Sequence, residues 1–208
     1  MDQDRFVALW SRCCGQNDAA ESLFKGIEAS YGEPHRRYHT GAHIGHCLRQ
    51  FDRARDEMDD PDAIELALWF HDIEYDPAAS DNELASAKRF RQSAAGLMGS
   101  GLVEQVYRLI LATIHDSVPH MPDEQYVVDI DLSSFGLPWD EFSRDSQNVR
   151  NEFPDLSERE FAKKNSGFLE MLLRRPSVYS TEFFRERLEA TARENMKRQI
   201  ALLNGSGD

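Results

Sequence analysis

The stretch Asp60-Pro61-Asp62-Ala63-Ile64-Glu65-Leu66-Ala67-Leu68-Trp69-Phe70-His71 constrains the fold more than any other part of this chain. Asp60 before Pro61 is a helix opening, a capping carboxylate followed by a proline in the first turn. The run Ala67-Leu68-Trp69-Phe70 then makes the helix apolar almost all round, so it is expected to be buried. On either side, apolar residues recur at three and four, the helical period. One stripe carries Ile44, Cys47, Leu48, Phe51, Ala54 and Met58 over His43 to Met58, and another carries Val103, Val106, Leu109, Ile110, Thr113 and Ile114 over Leu102 to His115.

Further helices are predicted over Gln3 to Cys14, Ala19 to Tyr31, Trp139 to Phe153 and Glu182 to Leu203. Ser80 with Glu83 reads as a capping box for a helix reaching Met98, and Ser157 with Glu160 as a second, for a helix stopping before Pro176. Tyr126 to Leu132 reads as a loop entering a turn of helix, and Asn204-Gly205-Ser206-Gly207 as a frayed end. The fold class is all-α, a helical bundle forming one domain over 1–208. Its core is expected over about 31–135, with the helices of 139–203 packing on it.

Hydrophobic residues make up 40% of the 208, enough for a core. No apolar run approaches a membrane span, and the acid-bearing N-terminus does not read as a secretory signal. Cys13, Cys14 and Cys47 cannot build a disulfide framework or a cysteine-rich zinc site, so a reducing cytoplasm is expected. The formal net charge of −13 argues against anionic membranes and nonspecific nucleic-acid binding, which need a basic face. It leaves room for a small phosphorylated ligand met by a cation.

Candidate ligands for such a cation sit at predicted helix ends: His43, the pair His71-Asp72, and an acid of Asp129-Ile130-Asp131. Two neutral imidazoles and two carboxylates suit a first-row divalent ion and leave octahedral positions for water. The short connection at Asp59-Asp60 favours antiparallel neighbours. His43 opens one helix of that pair and His71 closes the other, so both fall toward the same end. His71-Asp72 alone is weak, since such an acid often caps a turn and His115-Asp116 repeats it. The buried helix before it strengthens the case, because an ionisable pair at a buried edge is costly without a partner. His39, His43 and His46 put three histidines within eight residues, more than capping or packing requires.

In order, His43, His71-Asp72 and Asp131 resemble the H…HD…D signature of the HD-domain metal-dependent phosphohydrolases. The match is closest to an uncharacterised bacterial branch of that superfamily. It is carried by Arg36-Arg37-Tyr38-His39-Thr40-Gly41-Ala42-His43-Ile44, by Ala67-Leu68-Trp69-Phe70-His71-Asp72-Ile73-Glu74-Tyr75-Asp76-Pro77, and by Asn82-Glu83. Leu111-Ala112-Thr113-Ile114-His115 and Asp129-Ile130-Asp131-Leu132-Ser133 continue it, and it covers about Tyr31 to Asn195.

The resemblance implies His43, His71, Asp72 and Asp131 as ligands of one divalent ion (Mn, Fe, Co, Ni or Mg), with Asp131 preferred to Asp129. It implies hydrolysis of a phosphomonoester, phosphodiester or pyrophosphate bond in a nucleotide or other small phosphorylated metabolite. Asp72 would orient the attacking water, and Arg36, Arg37 and His39 would meet the phosphate, with Arg49 and Lys88 one or two turns into nearby helices. His115 is a phosphate-orienting acid, a ligand of a second metal, or a capped core histidine. Glu74 and Asp76 are candidates for proton transfer, although some relatives place an acid where this chain has Tyr75. Other readings are a non-catalytic metal- or nucleotide-binding module and a di-iron oxygenase, which would need six or more ligands. The long final helix could serve a homo-oligomer.

Overall fold

The computed structural model describes residues 1–15 and 19–205, and its described residues are all-α, with ten α-helices, two short 3-10 segments and no strand. Two compact units divide the chain, Met1–Asp131 and Leu132–Asp208.

The first unit is built around α4 (Pro61–Phe70), in which every residue from Ala63 to Phe70 is buried. Asp60 caps it by accepting from Ala63 N, with Pro61 in the first turn. Around α4 lie α1 (Gln3–Cys14), α2 (Ala20–Tyr31), α3 (Gly41–Ala54), α5 (Asn82–Ala94), α6 (Ser100–Ala112) and α7 (Pro122–Asp131). Aromatic side chains join these helices, with Phe6 of α1 edge-on to Trp69 at 5.4 Å and Phe70 edge-on to Phe90 of α5 at 5.1 Å. The one buried charge of α4, Glu65, is met by Arg5 at 2.6 Å, and the same guanidinium grips both oxygens of Asp52 on α3. A buried carboxylate is tolerable only when partnered in this way.

Several boundaries differ from the sequence expectation. α3 gives way after Ala54 to a 3-10 turn over Arg55–Glu57. Tyr126 to Leu132 is not a loop entering a helical turn; α7 runs from Pro122 to Asp131, with proline at its start and Asp123 and Glu124 in its first turn. Asp123 accepts from the backbone N–H groups of Asp59 and Asp60, tying the start of α7 to the α3–α4 connection. The Ser80–Glu83 capping box does not form: Asp81 is the N-cap, without a side-chain cap bond, and α5 ends at Ala94, short of Met98.

In the second unit a 3-10 segment, Leu132–Gly136, leads to α8 (Trp139–Asn151), α9 (Glu158–Leu173) and α10 (Glu182–Gly205). Here the Ser157–Glu160 capping box does form. Asn195 of α10 donates to the carbonyls of Phe135 and Leu137, both at 2.8 Å. A Cβ on Gly136 would come within 2.6 Å of Leu188 Cβ, so α10 can approach this turn only at glycine. Asn204 and Gly205, expected to fray, belong to α10, while Ser206 and Gly207 lie outside the described residues. No helix among the described residues is long and apolar enough to cross a membrane.

Candidate metal centre

Three helix ends bring the ligand atoms together. Thr40 caps α3, its hydroxyl accepting from Ala42 N, and this puts His43 in the first turn. His71 is the C-cap of α4, followed by Asp72, and Asp131 is the last residue of α7. His43 Nε2 lies 3.2 Å from His71 Nε2 and 3.1 Å from Asp131 Oδ1. His71 Nε2 lies 3.4 Å from Asp131 Oδ1 and 3.1 Å from Asp72 Oδ2, which is 3.7 Å from His43 Nε2. These spacings fit one ion. Bonds of about 2.1 Å separate neighbouring ligand atoms by about 3.0 Å on an octahedral ion and about 3.4 Å on a tetrahedral one.

The tautomer fits as well. His71 Nδ1 is 3.0 Å from the Leu68 carbonyl, which can only accept, so Nδ1 carries a proton and Nε2 faces the cluster. This is the usual backing of a metal-bound histidine. Burial would pull the His71 imidazolium down, but the charges of Asp72 and Asp131 outweigh it and hold its pKa well above the ordinary value. Burial would push the two carboxyls up, yet both lie below the ordinary range. The His71 charge is the chief cause, helped by His39 at Asp72 and by hydrogen bonds from His115 and His43 at Asp131. A cation at the same place would offset the same two negative charges.

Cys47, read as a core thiol in the sequence, belongs to the group: one atom each from His43, Cys47, His71 and Asp131 lie within 4.8 Å of one another and can hold a metal ion. Its spacing of four from His43 on one helix was the sign that could have found it. Cys47 Sγ is almost equidistant from the two nitrogens of the His43 ring, 3.6 Å from Nε2 and 3.9 Å from Nδ1. It therefore lies against the ring and not ahead of the Nε2 lone pair. Burial first, then Asp131 and Asp72, push this thiol well up.

His115 stands behind the cluster, its Nε2 2.9 Å from Asp131 Oδ2. Asp131 thus spans two imidazole environments, Oδ1 toward His43 and His71 and Oδ2 toward His115. His115 has φ of 60°, and no other described non-glycine residue has a positive φ. Asp129, the rival acid, is fully buried, and Asp131 supplies the cluster oxygen.

The residues proposed for phosphate divide. Arg36 is buried, with all three nitrogens of its fork engaged: Nη1 donates to Asp72 O at 2.6 Å and His39 O at 3.2 Å, Nη2 to Ile73 O at 3.0 Å, and Nε to Glu33 at 2.9 Å. It holds the ligand turn and is not free to meet phosphate. Arg37 is exposed and bonds the carbonyls of Pro34 and Arg36. His39 is half-buried and stacks on Tyr75, ring centroids 4.2 Å apart, near enough to Asp72 to favour its charged form. Glu74 is held by Arg89 at 2.6 Å, and Asp76 accepts from Ala78 N in an exposed turn. Arg49 and Lys88 are exposed. His46 is half-buried beside the cluster, and burial, then His43 and Arg49, bring its pKa down to about 4.

Set against models of known protein families, against curated proteins and against solved structures, the chain matches none.

Proposed function

We propose that this chain is an HD-type metal-dependent phosphohydrolase. It cleaves a phosphomonoester, phosphodiester or pyrophosphate bond in a nucleotide or another small phosphorylated metabolite. The observation that supports the reading is the convergence of His43, His71, Asp72 and Asp131, with ligand atoms 3.1–3.7 Å apart on the pairs given above. Nitrogen and carboxylate donors in this ratio suit Mn²⁺, Fe²⁺, Co²⁺ or Ni²⁺ over Mg²⁺. A bound divalent ion supplies a polarised phosphoryl oxygen and a water acidic enough to attack at neutral pH.

The protein's own groups do the rest. Asp72 presents Oδ2 to the cluster and keeps its second oxygen to orient that water. His115 fixes the angle of Asp131 through Oδ2. His39, flanked by Tyr75 and Tyr38, is the nearest candidate to meet phosphate. An oxygenase centre would call for six or more ligands, and His115 reaches the cluster through an Asp131 oxygen, which favours one ion.

The test is metal content after Mn²⁺ reconstitution and desalting, in wild type and Asp131→Ala, followed by hydrolysis of p-nitrophenyl and bis(p-nitrophenyl) phosphate and pyrophosphate. Wild type should hold about one Mn²⁺ per chain and turn over at least one substrate, and Asp131→Ala should lose most of the metal. Retained metal with no turnover would favour a non-catalytic binding module, and a folded wild type that retains none would sink the centre.

A further inference from the structure

Asn82 and Ser86 fasten the first turn of α5 to the segment that follows the ligand pair. Asn82 Oδ1 accepts from Asp76 N at 3.0 Å while its Nδ2 donates to Asp76 O at 2.9 Å. Ser86 Oγ accepts from Glu74 N at 3.1 Å and donates to Glu74 O at 3.3 Å. Between these two clasps sits Glu83. Its natural structural role, reaching back to cap the helix, is not taken up, because the capping box does not form.

Glu83 instead occupies the helix face of Ser86, Ala87 and Phe90, all buried, at spacings of three, four and seven. Side chains so spaced share one face. Glu83 is therefore the N-terminal end of a core-facing stripe, on the turn of α5 that Asn82 and Ser86 fasten to the segment after Asp72. It is half-buried, beyond the turn carrying His71 and Asp72. Its electrostatic neighbours are those of the metal centre. Burial, then the charges of Asp72 and Asp131, push its carboxyl above the ordinary range, against the lowering effects of its own backbone N–H and of His115. Glu74 is committed to Arg89 and Asp76 lies in an exposed turn, so neither offers an acid in this position.

We infer that Glu83 is the proton donor to the leaving oxygen of the hydrolysis proposed above, an assignment that rests on that reading. As water oxygen bonds to phosphorus, the bond from phosphorus to the leaving oxygen breaks and its electron pair stays on that oxygen. The Glu83 carboxylic acid gives its proton to the oxygen, and the proton shed by the water returns through solvent to the carboxylate. Reactant ester and water thus become alcohol and phosphate, with no other reagent.

A leaving group that departs unaided does not need this proton, whereas a poor one does. The experiment uses the full-length Mn²⁺-loaded protein with phenyl phosphate and p-nitrophenyl phosphate, and with the matching diesters diphenyl and bis(p-nitrophenyl) phosphate. Glu83→Gln should keep the wild-type metal content and melting temperature and act on the nitrophenyl esters within about tenfold of wild type. Its rate on the phenyl esters should fall by about a hundredfold or more, the scale of general acid catalysis. Glu83→Ala should regain part of that loss in added formate.

Equal losses on both leaving groups, or no formate rescue, would overturn the assignment. Metal lost in step with activity would make Glu83 a ligand and overturn it too. Wild type inactive on all four esters and on pyrophosphate would overturn the hydrolase reading itself, and the donor role with it. Active wild type with an indifferent Glu83→Gln would overturn only the donor role.

Discussion

His115 combines a backbone feature with a side-chain one, and the two can be separated. A non-glycine residue near φ of 60° carries a backbone cost that glycine does not. Its imidazole meanwhile holds Oδ2 of Asp131. His115→Gly should therefore be more stable than His115→Ala by about 1 kcal/mol in urea melts. Both should weaken Mn²⁺ binding alike, by about 10- to 100-fold, as expected for a group behind a ligand. Equal stabilities would remove the backbone account, and unchanged Mn²⁺ affinity would remove the positioning role. The residues of the centre itself were the most legible part of the sequence, because His43, His71-Asp72 and Asp131 stand in an ordered pattern. Arg36 was misread for a physical reason: adjacency to His39 suggests a ligand contact, but its acceptors on Asp72 and Ile73 lie 36 and 37 residues away.

The turn after α4 depends on that arginine. Its fork satisfies the Asp72, Ile73 and His39 carbonyls at once, and lysine, a point charge without the fork, cannot. Arg36→Lys should cost about 3 kcal/mol, since each buried acceptor left unmet costs about 1–3 kcal/mol. Equilibrium urea denaturation measures it, and a loss under about 0.5 kcal/mol would mean the carbonyls find other donors. Among the helices, α4 was readable because its composition alone demands burial. The two capping-box patterns show where local reading stops. Ser157 and Glu160 close their box, while Ser80 and Glu83 do not, because Asp81 takes the cap and Glu83 joins the buried stripe of α5. That choice is set by packing against the 74–76 turn, which four residues of text do not contain. Helix α7 was missed because Tyr126 to Leu132 was read apart from the helix start at Pro122, with Asp123 and Glu124 in the first turn.

At the scale of the molecule, folding and protonation are linked, and a cation bound at the cluster would join them. The raised pKa of His71 contributes stability that is full below about pH 6.5 and lost as pH rises through its folded value. The lowered carboxyls of Asp72 and Asp131 contribute stability present above about pH 4 and lost as pH falls through their folded values. Without metal, the cluster should help the fold most between about pH 4 and 6.5. As pH rises beyond that window through the folded value, His71 sheds its proton, two negative charges face each other, and a cation has most to offer. Saturating Mn²⁺ should therefore raise the melting temperature more at pH 8 than at pH 6, as differential scanning fluorimetry would record, and equal increments would contradict the linkage.

His43 and Asp131 are 88 residues apart in sequence and 3.1 Å apart in space. An ion bound to both is a removable cross-link that closes most of the first unit into one loop. In the chain-entropy treatment of disulfides, closing a loop of that length restricts the unfolded chain by about 4–5 kcal/mol. To the extent that the ion stays bound during unfolding, it would act on the disordered ensemble as a staple does, and a chelator would play the part that a reductant plays for a secreted protein.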